Sequence, residues 1–203
     1  MNKRGFTLLE VVIALAIVGT LLAIAFGGLR VALSAWRKGE DRAEAHQHAR
    51  TLLTVLTRSI GAAYPYRIAA EESLDPLVQF DGYSDRLSFV TLAAPFPLPG
   101  SIAFTAVRLS LDGGDEPGLV VRERALPNHD VWTKADPIFR DAAVTTLDFR
   151  YLRPGGDWED RWDGADEVGL PAAVEVSLRT TLEGRSAALP PITVPLRTVK
   201  PPS

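Results

Sequence analysis

Three histidines, no cysteine and one dense run of carboxylates are the residues of this 203-residue chain from which a reactive site would be built. Without cysteine there is no disulfide, no thiolate metal site and no thiol nucleophile. His46 and His48 stand two apart in a stretch with helical spacing, roughly 200° apart around the axis, so they do not converge on one metal ion. His129, in Pro127-Asn128-His129-Asp130, reads as a loop residue. The segment Asp157, Glu159, Asp160, Asp163, Asp166 and Glu167 has the carboxylate density that calcium prefers, but Arg161 stands where an EF-hand needs its third ligand. That segment reads as a solvated loop. No nucleophile elbow, HExxH, phosphate loop or dinucleotide fingerprint is present. These residues predict no enzyme, no cofactor and no metal.

Glu10 is a carboxylate of another kind, the one charge in the 24 positions from Phe6 to Leu29. As a helix that run spans about 36 Å, enough for a hydrocarbon core of about 30 Å. It is too long for a cleaved secretory signal, and Lys3 and Arg4 precede it. An acid inside such a run costs about 2.5–3.5 kcal/mol at the bilayer centre, so it is read as functional, with a partner to be found. The net charge of -3 gives no basic surface field, which argues against nucleic acid as a partner.

Lys3-Arg4-Gly5-Phe6-Thr7-Leu8-Leu9-Glu10, followed by the uninterrupted span, resembles the processing site of type IV pilins and type II secretion pseudopilins. The resemblance implies that a prepilin peptidase cuts between Gly5 and Phe6 and methylates the new amine of Phe6. It also implies that Glu10, then fifth in the mature chain, registers one subunit against the next. A carboxylate can neutralise a neighbour's amine, and the attraction strengthens in a low dielectric. Gly19, Gly27 and Gly28 weaken the helix locally, which suits either bending or close packing.

All 15 prolines lie at or beyond Pro65, so the first 64 residues permit one long helix and the rest is rich in turns. Ala45, Ala49, Leu52, Leu53, Leu56, Ile60 and Ala63 fall on one helical stripe, and Tyr64-Pro65 ends it. Between the span and the stripe, the mixed charges from Arg37 to Arg42 read as a solvated neck. Beyond Pro65 the period becomes two: Leu87, Phe89, Thr91; Val107, Leu109, Leu111; Leu147, Phe149, Tyr151; Val174, Val176, Leu178. Asp112 to Asp115 predicts a hairpin into Leu119-Val120-Val121. After Glu183-Gly184 a final strand is expected over 192–199, kept to an edge by Pro195. The expected fold is α+β and pilin-like: a long N-terminal helix, transmembrane in its first half, packed on an antiparallel sheet. The expected parts are a cleaved leader 1–5, a transmembrane half 6–29, an amphipathic half 30–63 and a periplasmic β-rich domain 64–203.

The segment Leu147 to Leu152, then Gly156-Asp157-Trp158, Trp162 and Leu170 to Val176, resembles the J-type minor pseudopilins of type II secretion. Leu56 to Pro65 is similar to that family's helix end. The resemblance implies an inner-membrane subunit of a filament tip that primes assembly, with I-type and K-type minor pseudopilins and the major pseudopilin as partners. A minor subunit of a type IV pilus or DNA-uptake filament would share every N-terminal feature and is the alternative.

Overall fold

The computed structural model describes residues 7–68, 77–96, 103–114, 116–127, 132, 136–167 and 169–197, without the side chains of 37, 38, 40–42 and 136. One helix, α1 (Leu8–Gly61), is followed by β1 (Arg67–Ile68), β2 (Leu77–Val78), β3 (Phe80–Gly82), β4 (Arg86–Thr91), β5 (Thr105–Asp112) and β6 (Gly118–Ala125). Then come β7 (Asp136–Asp141), β8 (Val144–Leu152), β9 (Trp158–Glu159), β10 (Trp162–Asp163), β11 (Ala173–Leu182), β12 (Arg185–Ala188) and β13 (Ile192–Pro195). The chain divides into two compact units, Met1–Ala43 and Glu44–Ser203.

The helix stops for local reasons. Its last turn tightens, with Ala63 N–H reaching Ile60 O at 2.9 Å, as orphan carbonyls at a helix end require. The buried Thr91 hydroxyl donates to Ser59 O at 2.8 Å and satisfies one more. Tyr64 N–H then bonds Val90 O at 2.8 Å, so Ala63 and Tyr64 leave the helix by joining β4. The stripe read from sequence is buried at every position from Ala45 to Ala63, although the regular helix closes at Gly61.

Among the described residues all strand pairings are antiparallel. One sheet runs β10-β3-β4-β5-β6-β7, a second β12-β11-β8-β9 with β13 also on β11, and β1-β2 form a short ribbon. Leu53, Leu56 and Ile60 of α1 share one core with Leu87, Leu109 and Val121 of the first sheet and Phe149, Tyr151 and Val176 of the second. Tyr151 fastens the two sheets: its hydroxyl donates to Tyr83 O at 2.9 Å, and its ring lies over Gly82, where any Cβ would overlap it. Phe149 N–H adds a main-chain bond to Ser84 O at 2.8 Å.

Three features depart from the sequence expectation. In β4 the alternation is masked, because Ser88 and Val90 are buried along with Leu87, Phe89 and Thr91. Val90, Ala106 and Leu126 form a second small core on the opposite face, packed by Tyr66, Ile68, Phe104 and Trp132. Glu183-Gly184 does not separate β11 from the final strand; it is a two-residue hairpin turn into β12, both residues having positive φ (49° and 75°). The final strand is Ile192–Pro195, and residues 198 and 199 lie outside the described residues. It has one neighbour, β11, so Pro195 does sit on an edge strand.

Candidate functional site

At the start of α1, Thr7 and Glu10 satisfy each other. Thr7 N–H and its hydroxyl both donate to Glu10 Oε2, at 2.9 and 3.0 Å, and Glu10 N–H reaches back to Thr7 Oγ1 at 3.3 Å. This is a capping box, with the acid at the third helical position. Glu10 is thus held against the amide of residue 7, at the positive end of the helix. The reading from sequence passed over Thr7, although Thr7-Leu8-Leu9-Glu10 carries the S/T-x-x-E signature. Gly5 and Phe6 lie outside the described residues.

From Leu8 to Trp36 the helix is long and apolar enough to cross a membrane, and none of that surface is buried within the chain. Its hydroxyls make no outward demand: Thr20 donates to Ala16 O at 2.8 Å and Ser34 to Val31 O at 2.9 Å. Gly19, Gly27 and Gly28 face open space, so no packing within the chain explains them. An exposed apolar surface of this extent requires a lipid or protein cover.

The other candidates resolve into structure. His48 bonds Asp141 Oδ2 at 2.8 Å, joining α1 to the end of β7, while the other Asp141 oxygen caps Ala143 N–H at 2.9 Å. His46 is exposed one helical face away, and His129 lies outside the described residues. In the acidic segment, Arg153 reaches both Glu159 at 2.6 Å and Glu167 at 2.8 Å, and Arg161 reaches Asp163 at 2.7 Å. With Asp160 beside Arg150 at 3.4 Å, four of its six carboxylates face arginines, and among the described residues no His, Cys, Asp and Glu group is arranged to hold a metal. Trp162 belongs to the core and donates to Gly169 O at 3.2 Å; Trp158 stays half-buried, with Arg150 over its ring. None of these arginine contacts was evident from the sequence.

Glu123 was also missed. It stands opposite Val107 on the core side of the sheet, only 4 % exposed. One oxygen accepts Phe96 N–H at 3.0 Å, and the other has no partner. Burial pushes its carboxyl up to about 7, against a smaller opposing effect of the Phe96 amide.

Comparison with known proteins agrees with both halves of this description. Residues 1–26 match the prokaryotic N-terminal methylation motif. The chain is 26% identical over 210 residues to the type II secretion system protein J of Xanthomonas campestris pv. campestris, covering 96% of this chain and 93% of the relative. The model of the family described as type II secretion system, protein J, matches residues 27–188, and the chain belongs to that family.

Proposed function

We propose that this chain is a minor pseudopilin, a structural subunit of the filament-tip complex that primes pseudopilus assembly, and that it catalyses no reaction. The observation that carries the proposal is Glu10: one carboxylate, held at the N-terminal end of an otherwise apolar and uncovered helix. Thirteen Leu, Ile, Val and Phe residues lie between Leu8 and Leu29. At about 0.3–0.6 kcal/mol each they favour insertion by roughly 4–8 kcal/mol, which outweighs one acid. The helix then anchors the chain in the inner membrane, and Glu44–Ser203 is periplasmic.

In this reading residues 1–5 are a leader, 6–29 the transmembrane half, 30–63 the amphipathic half and 64–203 the periplasmic domain. The prepilin peptidase cuts between Gly5 and Phe6 and the amine of Phe6 is methylated. The capping box holds the Glu10 carboxylate one residue from that amine, where a neighbouring subunit's charge can also reach it. An amine without such a partner would be an unpaired charge in an apolar setting, which is costly. The partners are the I-type and K-type minor pseudopilins and the major pseudopilin.

The test is co-expression of the full chain with a prepilin peptidase and the I-type and K-type subunits. Mass spectrometry of the membrane fraction should give a 198-residue chain beginning at N-methylated Phe6, co-purifying with both partners. Glu10→Ala should be cut normally yet recover little of either partner. A chain cut elsewhere, or full recovery of the partners by Glu10→Ala, would refute the reading.

A further inference from the structure

On the six-stranded sheet, Leu87, Leu109 and Val121 point into the main core, so their strand neighbours Arg86, Arg108 and Arg122 point to the opposite face. Arg108 and Arg122 are directly opposite across β5 and β6, an arrangement in which like charges destabilise a sheet. Asp81 attracts Arg108 and Asp112 attracts Arg122, but neither carboxylate makes a direct ion pair with them. Arg108 Nε donates to Ser88 Oγ at 3.0 Å, and an Arg122 terminal nitrogen approaches Ser110 Oγ at 3.4 Å. Aromatic rings fix two of the heads further: Arg108 lies 5.2 Å from the Trp132 ring centre and Arg86 4.5 Å from that of Tyr83. Among the described residues, no carboxylate is within ion-pair distance of Arg86, Arg108 or Arg122.

Asp81 borders the face and is shared out. Burial and the neighbouring Asp163 raise its carboxyl, while Arg86, Arg161 and Arg108 pull it down. Arg108 is itself lowered by burial and by the charges of Arg86 and Arg122. A chain of net charge -3 therefore concentrates positive charge on one sheet face, with guanidinium heads positioned by hydroxyls and rings and with donors to spare.

We propose that the face formed by Arg86, Arg108 and Arg122 docks a helical segment of a partner protein that carries paired carboxylates. Opposed residues on neighbouring strands stand about 5 Å apart, and carboxylates three or four positions apart on a helix are about 5–6 Å apart. Fork-shaped guanidinium groups suit such discrete carboxylates. Asp81 and Asp163 at the border, and the net negative chain, disfavour a continuous phosphate backbone.

The test uses the full chain in detergent micelles and a fluorescent alanine-based peptide with Glu pairs at i, i+4, beside the same peptide with Gln. Saturable binding of the Glu peptide alone is expected, weakening as salt rises from about 0.05 to 0.3 M. Arg108→Gln with Arg122→Gln should weaken it about tenfold or more, while Arg179→Gln on the exposed face of β11 leaves it unchanged. Because the substitution relieves a like-charge pair, the double variant should melt no lower than the parent. If it loses its melting transition, Arg122→Gln alone carries the test with the same expectation. The proposal is overturned by absent or undiminished binding, or by a lower melting temperature with binding intact. An oligo-dT strand bound as tightly and lost by the same substitutions would overturn it in favour of a nucleic-acid surface.

Discussion

Glu123 occupies a position that the alternation of β6 assigns to the core, and it remains there by giving up its charge. Its ordinary value of 4.5 applies to the unfolded chain, whereas in the fold burial raises it to about 7. Below the lower value both states are neutral and the fold keeps the full benefit. Between the two the unfolded chain ionises first, so stability falls as pH rises, by about 3 kcal/mol in all. Urea unfolding should show that fall from pH 4.5 to 7, on top of the slope from other groups. Glu123→Gln, which keeps an acceptor for Phe96 N–H, should remove it. The sequence could not announce this residue, since its burial depends on a loop contact 27 positions away. His48 and Asp141 were hidden for the same reason, being 93 positions apart. The proposal for Gly5, Phe6 and Glu10 rests instead on a local signal: a fixed order of residue types next to an apolar run.

At the level of elements, periodicity found whatever buries one face and failed where burial has two sides or a turn is unusual. The stripe from Ala45 to Ala63 and the alternations in β8 and β11 were readable because a single core claims each of them. In β4 a second cluster claims the other face, so period two fades. The hairpin into β12 escaped notice because Glu183 adopts φ 49°, a conformation usually left to Gly or Asn. That strain gives a prediction. Glu183→Asn should stabilise the unit Glu44–Ser203 by about 1 kcal/mol in chemical denaturation, with no change in the slope. A loss of stability would mean that the Glu183 side chain supports the turn in some other way.

For the whole molecule, the division at Ala43 and Glu44 separates two solvent requirements. Every position described from Thr7 to Trp36 is exposed, and nearly all are apolar; the second unit contains the main core and both sheets. A fragment of residues 44–203 should therefore fold in plain buffer and unfold in one cooperative transition, whereas the full chain should need detergent. Light scattering and thermal melting would check both halves of that statement. The passage from one long helix to a strand-rich remainder was readable from proline placement, but the second sheet was not, because strand order depends on pairings between distant segments. That order also has a bearing on biosynthesis. β11 is paired along one edge by β8, and its other edge is completed by β13 and then β12, which come last among the described strands. Ala187, Val194 and Leu196 complete the core from the same stretch. While a ribosome is still adding those residues, one edge of β11 has no partner and the core stays open, so this unit can close only after the last of its described strands has been made.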